Sequence, residues 1–482
     1  MDNSRGNSQS VPHVGKTDQF ARSPSSPFGL EPQETLAYRK RFRGMISVAS
    51  KVPLKDRSVL SLLYTPGVAA PCLAIAKEPL TAYDYTLRGN TIALVSDGSS
   101  ALGFGNIGPL AALPMLEDSC ILFKTFGGVN AFPICLNTQD IEQMIATSVA
   151  IWPTFGGFCL SSIASPRCFT VADHLARAVN IPVLHTEQHA TAATILGALS
   201  NALKLVGKTK EAVRVVINGS GPGGIGTALL LLQAGFQHIL VCDRLGILER
   251  YRLHNMHWAK LDIARQTNPG NSKGTLSDAL RNADVYIGLS SWSTLTPDMV
   301  SSMAAQSILF TLALPDPGIT PQAALAAGAA VVSTAHPNAA HPITNALVLP
   351  GIFRGALDVR ATAITQEMLL SAASAIAGLV PQELLSPEHL VPSVMDYAVA
   401  PRVARAVAEA ARRSGVARIE KDSAEIEAQV LATIYEGHRP VLPPSHQYAN
   451  LQEEALELHR RYQGVLEIVP KIPIRDSLTL SS

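Results

Sequence analysis

Three glycines in G-x-G-x-x-G register, Gly219, Gly221 and Gly224, with Ser220, Pro222 and Gly223 between them, carry the most legible chemistry in this chain. The β-branched run Arg214 to Ile217 precedes them, and an apolar helical stretch from Ala228 to Ala234 follows. In a strand, turn and helix of this kind the first glycine permits a tight turn and the second lets bare backbone approach a pyrophosphate. The third lets helix and strand pack closely, and the helix N-terminus offers unpaired N–H groups and the positive end of a dipole. A second apolar run, His238 to Asp243, ends in an acid 19 residues past the third glycine, where a carboxylate can accept hydrogen bonds from a ribose 2′-OH. The pattern predicts NAD as cofactor, and Arg244 beside the acid leaves NADP possible.

Elements that position this turn continue the alternation. Ala283 to Gly288, Ser307 to Thr311 and Ala330 to Val332 read as further buried strands, separated by helical segments such as Pro321 to Ala327. The pattern predicts an α/β protein with a doubly wound parallel sheet. Residues 362 to 413 are alanine-rich with helical periodicity and are expected to close the fold by packing back on the first domain. Ahead of them all, residues 1–30 are rich in Ser, Asn, Gly and Pro, cannot offset their ordering entropy by burial, and are expected to be disordered.

With 482 residues and 47% hydrophobic content, the chain is long enough for two or three domains. A net charge of +1, from 39 basic and 38 acidic residues, gives no global reason to expect nucleic acid or an anionic membrane as partner. Six scattered cysteines with no C-x-x-C pair read as reduced, buried and cytoplasmic.

Further blocks carry a resemblance. Tyr64-Thr65-Pro66-Gly67-Val68-Ala69, Val95-Ser96-Asp97-Gly98, Leu102-Gly103-Phe104-Gly105-Asn106-Ile107-Gly108-Pro109, Pro153-Thr154-Phe155-Gly156-Gly157, the His185 to Ala192 stretch and Leu349-Pro350-Gly351-Ile352-Phe353-Arg354-Gly355 occur in order around the glycine turn. Together they resemble the malic enzymes, which oxidatively decarboxylate malate to pyruvate with NAD or NADP and a divalent metal. The resemblance runs over roughly residues 34 to 420. It implies a substrate-type α/β domain at 31–190 and a Rossmann-type NAD(P)-binding domain with closing helices at 191–420, with a disordered tail at 1–30 and a linker plus partial repeat at 421–482.

Residue by residue, the resemblance implies a damaged site. Tyr64 matches the family's acid, but the place of its base lysine, four residues before Leu122-Phe123-Lys124, holds Ser119. Two adjacent metal-binding acids become Ser161 and Ser162, and a third becomes Glu187 within His185-Thr186-Glu187-Gln188-His189. Magnesium and manganese are held mainly by carboxylate charge, so one carboxylate among hydroxyls makes the divalent metal doubtful. A substrate-binding asparagine is replaced by Leu314, while Asn345 keeps its partner's place. The spacing of His185 and His189 suits two ligands on a helix, yet H-x-E-x-H is not a zinc pattern. Glu117 and Asp118, flanking the lost lysine, would raise rather than lower a tyrosine pKa. Lys124 is expected to be solvated or paired.

One more pattern lies at the end of the chain. Glu454 to Ser481 aligns without a gap on Glu34 to Ser61 at an offset of 420, pairing Leu456 with Leu36, Arg461 with Arg41 and Pro473 with Pro53. This reads as the start of a second, truncated unit. The expectation is an NAD(P)-dependent oxidoreductase of malate or another small 2-hydroxy acid with impaired metal-assisted decarboxylation, in a cytoplasmic homodimer. The alternative is a catalytically silent nucleotide-binding paralogue, or half of a tandem protein, with no small-molecule substrate.

Overall fold

The computed structural model of the chain describes residues 32–437, apart from 102, 291–294, 315–316 and 337–338. Both the N-terminal tail and the 454–481 repeat lie outside the described residues. Two sheets organise the rest.

The first sheet has four parallel strands, β1 (Thr91–Ser96), β2 (Asn130–Cys135), β3 (Gly157–Leu160) and β4 (Val183–His185), in the order β2-β1-β3-β4. Every residue of β1, β3 and β4 is buried, as befits parallel strands covered by helices on both faces. The helix Gly108–Gly127 supplies one of those covers, burying Leu116, Cys120 and Phe123.

The second sheet contains β5 (Arg214–Asn218), β6 (His238–Asp243), β7 (Gly246–Ile247), β8 (Val285–Gly288), β9 (Ile308–Thr311) and β10 (Val331–Thr334). Its order, β10-β9-β8-β5-β6-β7, runs outward in both directions from β5, and only the two-residue edge strand β7 is antiparallel. The expected strands are therefore present, and the sheet reverses its winding between β5 and β8. Ligands of such sheets bind in the crevice outside the carboxyl ends of the strands at this switch point.

Closing helices differ in part from expectation. Gln366–Gly378 packs on the buried helix Thr191–Val206, where a Cβ on Gly197 would lie 2.6 Å from Ile376, and Val399–Arg413 lies against Leu349–Asp358. The stretch expected to be a linker is instead the helix Ser423–Gly437, with Ile426 and Val430 fully buried. Its Thr433 abuts Gly128 at the end of the Gly108–Gly127 helix, so this helix makes the return contact on the first sheet's layer.

The N-terminal arm is unlike the rest. The helices Arg57–Leu63 and Ala69–Lys77 bury no residue of their own, leaving Leu62 and Leu73 more than 70% exposed. Cys72 on this arm is exposed and Cys135 is half-buried, which corrects the expectation that all six thiols are buried; all six are free. Among the described residues no helix is long and apolar enough to cross a membrane.

Candidate active site

A cavity of about 580 Å³ brings both sheets' loops together: Ser161 and Ser162 after β3, Glu187 after β4, the glycine turn after β5, Leu289 after β8, Leu312 after β9 and Ala335 after β10. All lie at carboxyl ends of strands.

The glycine turn is shaped as its sequence demands. Gly219 adopts φ +128°, which disfavours any residue with a Cβ, and a Cβ on Gly224 would fall 1.7 Å from the Gly219 carbonyl oxygen. Around Gly221, by contrast, nothing lies within 4 Å of a built Cβ, so the space a pyrophosphate needs is open. Gly221 caps the helix Pro222–Gln233 in an extended conformation with no side chain on the first N–H groups, and Gly221 to Gly224 line the cavity. Gly226, which the sequence reading passed over, is equally constrained: its Cβ would sit 1.9 Å from the Gln188 carbonyl oxygen. The only hint was a further glycine two residues past Gly224.

That contact ties the cofactor turn to the Glu187 segment. Residues Thr186–Ala190 form a single π-helical turn pressed against the Pro222–Gln233 helix. Glu187 Oε1 accepts the Ser162 N–H at 3.1 Å and the Ser161 hydroxyl at 3.4 Å, while Oε2 faces His185 Nδ1 at 3.3 Å. Burial pushes the Glu187 carboxyl up, and lowers His185 to about 4 and His189 to about 3. Both imidazoles are therefore neutral at ordinary pH, and His189 Nδ1 accepts the His185 N–H at 3.0 Å, so its lone pair serves the turn. Ser161, Ser162 and Glu187 thus meet as the sequence reading expected, but no group of three His, Cys, Asp or Glu that could hold a metal occurs among the described residues.

Ser119 lines the cavity and donates to the Met115 carbonyl at 3.2 Å. Its flanking acids point elsewhere: Glu117 accepts the Met45 N–H at 3.1 Å, and Asp118 pairs with Arg39 at 2.5 Å. Lys124 is paired, donating to Asn130 at 3.0 Å. Leu314 and Asn345 both line the cavity.

Two expected site residues are placed differently. Tyr64 ends the exposed Arg57–Leu63 helix, is 67% exposed, and is not among the residues lining the cavity, because the arm that carries it is not packed down. Asp243 ends β6 as predicted, but its carboxylate is engaged within the chain by Arg252 at 2.5 Å, Lys260 at 2.8 Å, Asn255 at 3.1 Å and the Leu245 N–H at 2.9 Å. Burial would raise its pKa, and the Arg252 and Lys260 donors outweigh that and lower it. A ribose hydroxyl would have to share these oxygens with two cations. Arg244, next in sequence, is exposed.

Comparison with known proteins settles the ancestry of this arrangement. The sequence pattern of the malic enzyme N-terminal domain matches residues 43–176, and that of the malic enzyme NAD-binding domain matches residues 188–412. The chain belongs to the malic enzyme family. A bifunctional malic/malolactic enzyme of Bacillus subtilis is 45% identical over 394 residues, 82% of this chain and 96% of that protein. An NAD-dependent malic enzyme of Geobacillus stearothermophilus is 46% identical over 376 residues, 78% of each chain. The crystal structure of a malic enzyme from Pyrococcus horikoshii superimposes with a TM-score of 0.80 at 39% identity, covering 89% of this chain and all of that one. A malic-enzyme NAD-binding domain and an N-terminal domain thus meet at this cavity.

Proposed function

We propose that this chain is an NAD(P)-linked oxidoreductase of a small hydroxy compound that has given up the metal-assisted decarboxylation of its family. The observation that carries the reading is the contrast within one cavity between an intact dinucleotide turn and a depleted metal and base site. The open space at Gly221, the close approach at Gly224 and the free helix N-terminus fit a dinucleotide, held by the backbone of Gly221 to Gly224. Bound there, the nicotinamide supplies a hydride acceptor.

The metal does not fit. Ser161, Ser162 and Glu187 offer one carboxyl and two neutral hydroxyls, where hard divalent cations are held mainly by anionic oxygen. Loss of a metal removes several kcal/mol of charge stabilisation, and loss of a general base costs ~10²- to 10⁴-fold in rate. The same losses favour a second reading, a silent nucleotide-binding paralogue or half of a tandem protein that supports an active relative. A cytoplasmic homodimer belongs to both readings.

The test is thermal unfolding with NAD(H) and NADP(H). Saturation at 100 times Kd adds ~2.7 kcal/mol of stability, and absence of a shift with either nucleotide rejects the reading. With Asp243 already held by Arg252 and Lys260, and Arg244 exposed beside it, the nucleotide carrying a 2′-phosphate is expected to give at least as large a shift as NAD.

A further inference from the structure

We propose that the small-molecule ligand of the cavity is uncharged: a secondary alcohol, or the ketone it becomes, with no carboxylate. This rests on the NAD(P)-linked oxidoreductase reading above and concerns the part of the cavity beyond the glycine turn. The polar side chains there are hydroxyls and an amide, among them Ser100, Ser119, Ser161, Thr344 and Asn345, and the rest of the wall is apolar. Glu187 is the one ionisable side chain among the described lining residues, and none of them is Lys, Arg or His. Residues 102, 291–294, 315–316 and 337–338, which interrupt the described chain, contain no basic residue either.

Three cations on elements flanking the cavity are committed. Arg167 is locked on the fully buried Asp97 at 2.8 Å, Lys124 on Asn130 at 3.0 Å, and Arg354 on Asp358 at 2.6 Å. A carboxylate entering the cavity would lose its water without gaining a cationic side chain from the described lining. A neutral alcohol has no such cost. Its hydroxyl can exchange hydrogen bonds with serine, threonine and amide groups, each able to donate and accept, while its carbon skeleton meets Met115, Leu289, Leu314 and Ile343. Leu314 supplies apolar surface on that wall.

The step this allows is balanced by the cofactor alone. The carbinol C–H bond breaks and its hydrogen and electron pair pass to the nicotinamide of NAD(P)⁺. The hydroxyl proton leaves to water, and the products are a ketone and NAD(P)H.

The protein is first saturated with nucleotide, and the thermal shift verifies binding; absence of that shift is failure of the nucleotide reading, and the calorimetric comparison of ligands is made only on protein that shows it. The loaded protein is then titrated by calorimetry with L-malate and with malamide, its uncharged diamide of the same skeleton and hydroxyl. Malamide is expected to bind at least tenfold more tightly. Malate binding as well or better overturns the proposal, whether the cation comes from this chain or from a second copy, and so does the absence of heat with both compounds. In a second arm Leu314→Arg places a cation on the cavity wall, with the nucleotide shift as the check that the variant folds. The preference is expected to move toward malate by at least tenfold, and an unmoved preference contradicts the proposal.

Discussion

Asp243 shows how a residue chosen for one role can be held by another. Its type, its place at a strand end and its distance from the glycines were all local and legible, and they pointed to a ribose. Arg252 and Lys260 come from 9 and 17 residues further on, and only the folded chain brings them onto the carboxylate. Removing the charge leaves two nearly buried cations without an anion, so Asp243→Asn is expected to cost ~3–5 kcal/mol in urea unfolding at pH 7. The carboxylate pKa is lowered in the folded state from its ordinary 3.8. Its contribution is therefore fully present above pH 4 and is lost as pH falls through the folded value, so the difference between variant and wild type should shrink below pH 4. A difference that grows on acidification contradicts this.

At the next scale the glycine turn and the Thr186–Ala190 turn behave as one element. Gly226→Ala would force a methyl into the Gln188 carbonyl at 1.9 Å, whereas Gly221→Ala meets open space. The first is expected to destabilise by more than ~2 kcal/mol and the second to leave the melting temperature within a degree or two, although Gly221→Val should abolish the nucleotide shift by filling the pyrophosphate's approach. Equal melting temperatures for Gly226→Ala and Gly221→Ala would show the contact to be relaxed. The strands of the second sheet were readable because buried parallel strands are continuous apolar runs. The helix Ser423–Gly437 was missed, though Ile426, Val430 and Ile434 recur every four residues, because residues 421–482 were read as a linker and partial repeat. Ile426→Ala should cost about 2–5 kcal/mol in chemical unfolding if the helix is docked, and close to nothing if it is not.

Over the whole molecule, what sequence could not supply was the seating of the N-terminal arm. Tyr64 was recognisable from its neighbours, but whether a phenol reaches a cavity depends on packing between segments far apart in the chain. Exposed Leu60, Leu62, Leu63 and Leu73 leave the arm with an apolar face that seldom stays in water, and a second copy of the chain is the occupant we propose. Sedimentation should show a dimer, and Leu62→Asp with Leu73→Asp should shift it toward monomer; a wild-type monomer at micromolar concentration rejects the dimer. Ser119, Ser161 and Ser162 were singled out from the ordered blocks around them, and all three line one cavity with Glu187.

The measurement that bears most directly on the account is turnover of L-malate in the presence of Mn²⁺ with NAD and, separately, NADP, using protein whose nucleotide binding has been verified. No pyruvate above the protein-free background is expected. Pyruvate formation that rises with Mn²⁺ would contradict it, since Ser161, Ser162 and Glu187 would then hold a catalytic metal that their chemistry does not fit.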